Sequence, residues 1–502
     1  MAVSLGGRRG LALLAGLLLY LSFPNVAAMG FEPWTGWVAC VALAPLLAAV
    51  DGVDARAGFG LGLLAGLAFH LPGLHWLTQV QPLGWGALPA WLGLAAWCAL
   101  FVGLFGAIAA RGLAAGWPAP LLWLPAAWAL LEWLRSRLLT GFPWNSLGSS
   151  QYANAFLRPL AALTGPAGLD YAVALLGAVA WVLLWRSRRL TRLASLLPVL
   201  VLLLALAAGA AWQGREARAQ MAALGRGTAV AVVQGGIDLD QPWTLDFRTR
   251  VMDAYMGYSR QAAAAGARLI LWPESAFPGF FNEDAPEAQA VKAFARRRGV
   301  CLLIGSTLSA PDGYRNAAVF VDAQGNTQSY AKRHLVPFGE YLPLEGWIPG
   351  LHAMLERMGV AFFRPGAAPA RFQAQGLGVV PLICFESVFP ELARRGPAPD
   401  VLAVLTVDTW YGDTAGPVWH ASQAALRAVE NGCWSGRAAA TGISLFAAPD
   451  GSLKGRLPLG AAGWVLQSVG PGRETPYRRW GDWFLLICVI FLGMVPFFVS
   501  RT

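Results

Sequence analysis

Between Leu11 and Trp212 the chain alternates long apolar runs with short turns that carry Pro, Gly or Arg, the runs lying near 11–28, 37–50, 58–72, 88–110, 119–134, 169–185 and 193–212. One more run covers 480–499. Most approach the ~20 apolar residues that a helix needs to cross a hydrocarbon core, so the pattern predicts about eight membrane spans with boundaries loose by several residues. Pro24 interrupts the first run without a small-residue cleavage site, and further spans follow at once, which predicts a retained span rather than a signal peptide. From 213 to 479 the apolar runs shorten to strand length and acidic residues accumulate. Strands are predicted at 228–234, 268–272, 301–305, 316–321, 378–383 and 400–407, and helices at 246–265, 286–298 and 417–432. Ala-Gln-Gly-Asn at 323–326 and Pro-Asp-Gly-Ser at 449–452 carry hairpin-turn chemistry. The expected fold is therefore a polytopic α-helical membrane bundle joined to an α/β domain, a sheet with helices on its faces and reactive residues on loops leaving strand ends. The predicted division is 1–225 for about seven spans, 226–475 for the α/β domain, and 476–502 for a last transmembrane helix.

Composition agrees with this division. The 502 residues are 56% hydrophobic and 13% charged, too apolar for a soluble protein, whose sequence carries roughly a quarter charged residues. Disorder is excluded by the same figures, and six irregularly spaced cysteines exclude a disulfide scaffold. A net charge of +10 suggests nucleic acid, but many arginines fall in short loops between apolar runs, where they set membrane orientation; no nucleic-acid partner is expected. Arg8, Arg9, Arg56, Arg111, Arg186, Arg188, Arg189 and Arg192 share one side, which the positive-inside rule makes cytoplasmic, leaving 213–479 outside the cytoplasm. Arg135, Arg137 and Arg158 lie on the opposite side and run against the bias. Trp34, Trp37, Trp144, Trp480 and Trp483 read as interfacial anchors. Gly60-Leu61-Gly62-Leu63-Leu64-Ala65 imitates a dinucleotide fingerprint, but inside a span Gly62 and Gly66 predict close helix packing instead. The five histidines are scattered without metal-ligand spacing, so neither metal nor cofactor is expected.

Three places in the outer segment carry chemistry. Leu269-Ile270-Leu271-Trp272-Pro273-Glu274-Ser275 is an apolar strand ending on a carboxylate, a partly desolvated position suited to a general base, although a lone loop glutamate is more often simply solvated. Lys332 stands in Tyr330-Ala331-Lys332-Arg333-His334-Leu335-Val336-Pro337-Phe338-Gly339-Glu340-Tyr341. Only three of the 38 basic residues are lysine, so a lysine here points to a compact charge aimed at a developing oxyanion, with chance placement as the plain alternative. Glu340 follows on a Pro-Phe-Gly turn as a partner for the ammonium or a second carboxylate; His334 reads as structural. Gly378-Val379-Val380-Pro381-Leu382-Ile383-Cys384-Phe385-Glu386-Ser387 places a cysteine at the end of a β-run before a helix start, a nucleophile elbow with sulfur for serine, in which a helix N-terminus and a lysine would favour thiolate. Cys40, Cys98, Cys301, Cys433 and Cys488 read as packing, the common fate of a free cysteine.

Glu274, Lys332 and Cys384, in this order and each after an apolar strand, form the pattern of the nitrilase superfamily. The whole chain resembles the apolipoprotein N-acyltransferases, membrane-embedded members of that superfamily. The resemblance rests on Trp-Pro-Glu-Ser at 272–275, His-Leu-Val-Pro-Phe-Gly-Glu-Tyr at 334–341, Cys-Phe-Glu-Ser at 384–387 and Trp410-Tyr411-Gly412. It extends to Arg427-Ala428-Val429-Glu430-Asn431-Gly432, Thr441-Gly442-Ile443-Ser444 and Thr140-Gly141-Phe142-Pro143-Trp144-Asn145. It implies an α/β nitrilase-like sandwich, with Cys384 as nucleophile, Glu274 as general base and Lys332 as oxyanion stabiliser. It also implies Glu340, Glu386, Trp243, Phe385, Trp410 and Tyr411 as supporting or substrate-binding residues. The sequence departs from the family pattern at Phe385, Asp408 and Ala440, where tyrosine, asparagine and asparagine are common.

The implied reaction moves a fatty acyl chain from a phospholipid, most plausibly phosphatidylethanolamine, through a cysteine thioester to the N-terminal amine of a diacylglyceryl apolipoprotein. Both substrates are membrane lipids, which places the enzyme in the bacterial inner membrane with its catalytic domain on the periplasmic side. A membrane-tethered nitrilase-type amidohydrolase is the alternative. A transporter would need an intramembrane charge path, for which only Glu132, near Arg135, offers itself. The stretch 343–365 is expected to form a lid.

Overall fold

The protein is described by a computed structural model covering residues 4–25, 30–32, 34–80, 84, 86–113, 120–186, 197–239, 241–283, 285–343 and 362–493. Most of the expected lid, residues 344–361, lies outside the described residues, as do Arg188, Arg189, Arg192 and the end of the last apolar run.

Each apolar run predicted from the pattern contains a helix. These are α1 (Leu5–Leu21), α2 (Trp34–Ala42) with α3 (Ala44–Val50), α4 (Ala55–Gly73), α5 (Ala87–Gly112), α6 (Pro120–Arg135), α7 (Leu160–Trp181) and α8 (Leu197–Ala222). The last run holds α14 (Phe484–Gly493), preceded by the short α13 (Pro476–Trp480). Among the described residues three helices are long and apolar enough to cross a membrane: Ala87–Gly112, Leu160–Trp185 and Leu197–Ala222. The Ser4 and Asp54 side chains accept from Gly7 and Ala57 N–H groups and start α1 and α4, so the first helix begins and ends earlier than its apolar run suggests. Gly165, at φ 68, and Pro166 kink α7 near its start.

The tightest contact in the helical part runs between α4 and α5. A Cβ on Gly62 would lie 2.4 Å from the Val102 carbonyl oxygen, and one on Gly66 would lie 2.8 Å from Ala99 Cα. Gly58 and Gly106 meet in the same way, so the small-residue stripe lets the two backbones touch.

The α/β part contains two six-stranded sheets rather than the single sheet read from strand spacing, as the resemblance implied. The first holds β1 (Thr228–Gln234), β2 (Leu269–Leu271), β3 (Cys301–Ala310), β4 (Gly313–Val321), β5 (Thr327–Ala331) and β12 (Gly463–Val469), in the order β12-β1-β2-β3-β4-β5. The second holds β6 (Phe372–Ala374), β7 (Leu377–Ile383), β8 (Val401–Thr406), β9 (Trp434–Ala439), β10 (Ser444–Ala447) and β11 (Leu453–Leu457), in the order β11-β10-β9-β8-β7-β6. Each sheet has a parallel centre, β1-β2-β3 in one and β7-β8-β9 in the other, flanked by antiparallel strands. Alternation assigns the faces. Val230, Val232, Val379, Ile383, Val401, Ala403 and Leu405 meet between the sheets. Ala231 and Val233 face α9 (Leu245–Ala264) and α10 (Pro286–Arg298) on the outside. The second sheet is covered by α11 (Pro390–Arg394) and α12 (Gly416–Asn431).

The two parts share a core. Phe385, Val388, Phe389, Tyr411 and Trp419 from the α/β part are buried in the same apolar cluster as α1, α4, α5, α6 and α7. The turn that begins at Cys384 therefore leaves its sheet toward the helices.

Candidate active site

Glu274 follows β2, a strand buried on both faces, and the turn that carries it is fixed by Trp272 N–H donating to Leu303 O and Phe277 N–H donating to Gly305 O. Gly305 is required there, because a Cβ would fall 2.1 Å from the Pro273 carbonyl oxygen. Lys332 comes directly after β5, and its N–H donates to Asn316 O on β4. Cys384 ends β7 and opens a 3-10 turn, Cys384–Val388. Three non-glycine residues in the left-handed region mark these motifs: Ser275 at φ 53, Phe338 at φ 63 and Cys384 at φ 50. Such backbone costs ~1–3 kcal/mol per residue and persists only where the surroundings enforce it.

Glu274, Lys332 and Glu340 form one buried cluster. Lys332 Nζ donates to Glu340 Oε1 at 2.9 Å and to Glu274 Oε1 at 3.3 Å. Asn316, on β4, donates its Nδ2 hydrogens to the same two oxygens, each at 2.7 Å. The remaining carboxylate oxygens accept from backbone, Glu274 Oε2 from Val407 N–H at 3.0 Å and Glu340 Oε2 from Val336 N–H at 2.7 Å. Burial works against the Lys332 ammonium, but Glu274 and Glu340 outweigh it and hold its pKa above the ordinary lysine value. This amine stays charged.

Glu386 plays a different part from Glu340. It is fully buried, and its carboxylate accepts from Tyr330 Oη at 2.7 Å and from the backbone N–H groups of Ile383, Arg333 and His334 at 2.8, 2.8 and 3.2 Å. It thereby ties the turn of Cys384 to the residues that follow Lys332. His334 is structural as expected: its ring lies 4.0 Å from that of Phe389, and burial, then Lys332, lower its pKa to about 4.

The expected thiolate at Cys384 is not what the site favours. Burial and the Glu274 carboxylate raise the thiol pKa above its ordinary value, and Lys332 and a hydrogen bond with Thr406 only partly offset them. These surroundings favour the thiol over the thiolate.

The aromatic residues divide. Phe385 lies against Phe389 and Phe142, with ring centroids 4.9 and 6.4 Å away, so the missing phenolic hydroxyl is replaced by apolar contact with the helical part. Tyr411 meets Trp76 and Trp144 at 4.8 and 5.6 Å, while the Trp410 ring covers Gly339. Trp243 is exposed, touches Phe247 at 5.1 Å and stands outside the hydrogen-bonded cluster. Trp144, read as an interfacial anchor, is instead buried and stacked 3.7 Å from Trp419; Trp34, Trp37 and Trp480 are exposed. A cavity of ≈ 800 Å³ opens beside these rings, between the helical part and the loop after β8, lined by Leu71, Trp76, Trp91, Trp144, Asp413 and Trp419.

Sequence patterning did not single out Asn316, Thr406, His420 or Arg437. Asn316 and Arg437 are polar residues inside otherwise apolar strands, a signal that strand reading passes over because it looks for apolar alternation.

Comparison with known proteins places this geometry in a family. Residues 229–479 match the Carbon-nitrogen hydrolase family, and residues 15–179 match the Apolipoprotein N-acyltransferase N-terminal domain. The apolipoprotein N-acyltransferase of Geobacter metallireducens is 36% identical over 98% of this chain and 95% of its own. That of Caulobacter vibrioides is 34% identical over 97% of this chain and 93% of its own. Among solved structures, a mutant of the Nesterenkonia AN1 amidase from the nitrilase superfamily is 22% identical, with a TM-score of 0.39 over 52% of this chain and 97% of that one. With a nitrilase-type α/β domain, a helical part of matching family and near full-length identity to named relatives, the chain belongs to the apolipoprotein N-acyltransferases, the enzymes that acylate lipoproteins.

Proposed function

We propose that this chain carries out the transfer in two steps through a thioester on Cys384, with Glu274 as base and Lys332 as oxyanion partner. The observation that carries the proposal is the buried Glu274–Lys332–Glu340–Asn316 cluster beside a left-handed nucleophile turn. In the first step Glu274 takes the Sγ proton as sulfur attacks the ester carbonyl carbon of a phospholipid. The C–S bond forms, the carbonyl oxygen becomes the oxyanion that Lys332 steadies, and the ester C–O bond breaks. Glu274 returns the proton to the departing lysophospholipid oxygen. In the second step the free α-amine of a diacylglyceryl-cysteine lipoprotein attacks the thioester. The C–N bond forms, the C–S bond breaks, Glu274 accepts the ammonium proton and sulfur regains one. Lys332, kept charged by two carboxylates, serves both tetrahedral intermediates without titrating.

The donor is proposed to be phosphatidylethanolamine, and the cavity beside Tyr411 has a volume in the range of ligand sites. The eight-span topology, the division at 1–225, 226–475 and 476–502, and a periplasmic catalytic domain in the inner membrane complete the proposal. The arginines that run against the positive-inside bias have other work. Arg135 pairs with Glu132, Arg137 pairs with Asp482 at 2.8 Å, and Arg158 donates to Asp450 O and Tyr152 O, which leaves the remaining loop arginines as the orientation signal. The test is intact-protein mass spectrometry of the full chain in nanodiscs containing phosphatidylethanolamine, followed by addition of a diacylated lipopeptide. Wild type should gain one fatty-acyl mass that Cys384→Ser lacks and should pass it to the peptide amine. Release as free fatty acid would favour the tethered amidohydrolase, and an unmodified wild type that still acylates peptide would refute the thioester.

A further inference from the structure

Buried polar side chains that the acyl-transfer scheme leaves unused meet behind Cys384. Asp408, just past β8, is 2% exposed. Its carboxylate accepts from Arg437 Nη2 at 2.8 and 3.0 Å and from the Thr406 hydroxyl at 3.2 Å, and it faces His420 Nδ1 at 3.0 Å. On the other edge of the imidazole, Nε2 lies 3.1 Å from Ser387 Oγ and 3.2 Å from the Cys384 carbonyl oxygen. Ser387 Oγ donates to that same carbonyl at 2.8 Å.

Acid, imidazole and serine in this order have the connectivity of a hydrolytic triad. The surroundings give them another role. Ser387 is 2% exposed and already spends its proton on the Cys384 carbonyl, so it presents no nucleophile. Arg437 Nη2 sits 3.0 Å from His420 Nδ1, and burial followed by Arg437 lowers the proton affinity of the ring, so it is a poor base.

Hydrogen-bond bookkeeping then gives the ring its place. The Cys384 carbonyl can only accept, so an imidazole that binds it at 3.2 Å does so through Nε2–H, while on the other edge Nδ1 lies 3.0 Å from both Asp408 Oδ1 and Arg437 Nη2. The other neutral tautomer would set the Nε2 lone pair against the carbonyl oxygen and draw the Ser387 proton away from it. Asp408 faces the ring directly, at 3.0 Å from Nδ1, as well as through Arg437. It holds Arg437, which orients His420, and it accepts from Thr406, whose hydroxyl bonds the Cys384 thiol.

We propose that His420 and Asp408 are positioning residues for the nucleophile: the Nε2–H of His420 donates to the carbonyl of Cys384, while Asp408 orients that imidazole, directly and through Arg437, and the thiol through Thr406. Both halves of residue 384 are then held from one carboxylate, which is how a strained left-handed cysteine at φ 50 is kept in place. The carboxylate of Asp408 is neutralised locally by Arg437, a buried arginine that is 1% exposed. The inference rests on Cys384 being the nucleophile.

The test measures the single-turnover rate constant for acylation of Cys384 by phosphatidylethanolamine in nanodiscs, across donor concentrations, by intact mass. His420→Phe keeps a ring and removes the donor; its rate constant should fall about 10²-fold, the cost of misplacing a reacting group by ~1 Å, with the half-saturating donor concentration unchanged. His420→Gln, whose amide nitrogen reaches about as far as Nε2, should stay within about threefold of wild type. Thr406→Val, which keeps volume and removes the arm to the thiol, should also lower the rate constant. Equal losses for Phe and Gln, a loss confined to half-saturation, or a Val variant acylated at the wild-type rate would each overturn the proposal. Wild type failing to acylate at Cys384 would instead remove the nucleophile assignment itself, so the two failures are distinguishable.

Discussion

Asn316 donates both hydrogens of one amide to two different carboxylates, Glu274 and Glu340, at 2.7 Å each. With Lys332 on the same two oxygens, an ammonium and an amide bridge the two carboxylates in a buried site; the neutral amide adds two hydrogen-bond donors but no charge. Asn316→Leu should therefore let the carboxylates separate and Glu274 drift from its place. The expected result is an acylation rate constant down by about 10²-fold or more, the low end of what a placed base contributes, with donor half-saturation unchanged. A rate within about twofold of wild type in the same mass-shift assay would show that Lys332 suffices. Glu274 and Cys384 were legible as candidates because each comes after an apolar strand, and Lys332 because lysine is scarce in this chain, the strand before it being mostly polar. Asn316 was not, because it lies inside β4, on a strand whose other buried positions are apolar. Sequence spacing likewise shows the lysine near the cysteine but not the burial and the carboxylate that raise the thiol pKa.

The α4–α5 contact separates two meanings of one glycine-rich motif. A Cβ at Gly62 would strike the Val102 carbonyl oxygen at 2.4 Å, whereas one at Gly60 meets nothing within 4 Å. Gly62→Leu should push the helices apart and cost ~1–3 kcal/mol or more, seen as a lower thermal midpoint in detergent. Gly60→Leu, two residues away, should leave the midpoint unchanged; equal losses at both positions would mean that glycine matters there for backbone conformation and not for helix approach. Legibility followed the same physics along the chain. β1 coincides with its predicted range because Thr228–Gln234 is a continuous apolar run buried from Val230 onward. β9 was passed over, since Trp-Ser-Gly-Arg-Ala-Ala has none of the β-branched residues that strand reading seeks, yet it is buried throughout between β8 and β10. Its Gly436 lies under Phe446 and Leu271, so the second sheet is built from small residues filled in by neighbours, a tertiary effect that no local pattern carries.

At the scale of the whole molecule, the loop after α6 is one place where the helical part reaches the turn of Cys384. Arg135, at the end of α6, is 1% exposed and donates Nη1 to the carbonyls of Phe142 and Trp144 at 2.6 and 2.9 Å while its other nitrogen pairs with Glu132. The rings so placed touch Phe385, Tyr411 and Trp419, the residues that surround the turn of Cys384. The pattern of apolar runs gave the helices of this part but not this insertion, because a short loop with two aromatics reads like any interfacial turn. The Glu132–Arg135 pair, which a transporter reading would take for a charge path, is here a clamp. Stability and activity should therefore separate in a double-mutant cycle. Arg135→Met alone releases the loop and strands the Glu132 carboxylate in a buried site, a loss of ~3–5 kcal/mol. Adding Glu132→Gln removes the stranded charge, so the double variant should recover most of the thermal midpoint. It should not recover the rate of Cys384 acylation, because neither methionine nor glutamine restores the two hydrogen bonds to the 142–144 carbonyls. A double variant that regains both midpoint and rate would mean that the loop needs no clamp and that the bundle serves the catalytic domain only as an anchor.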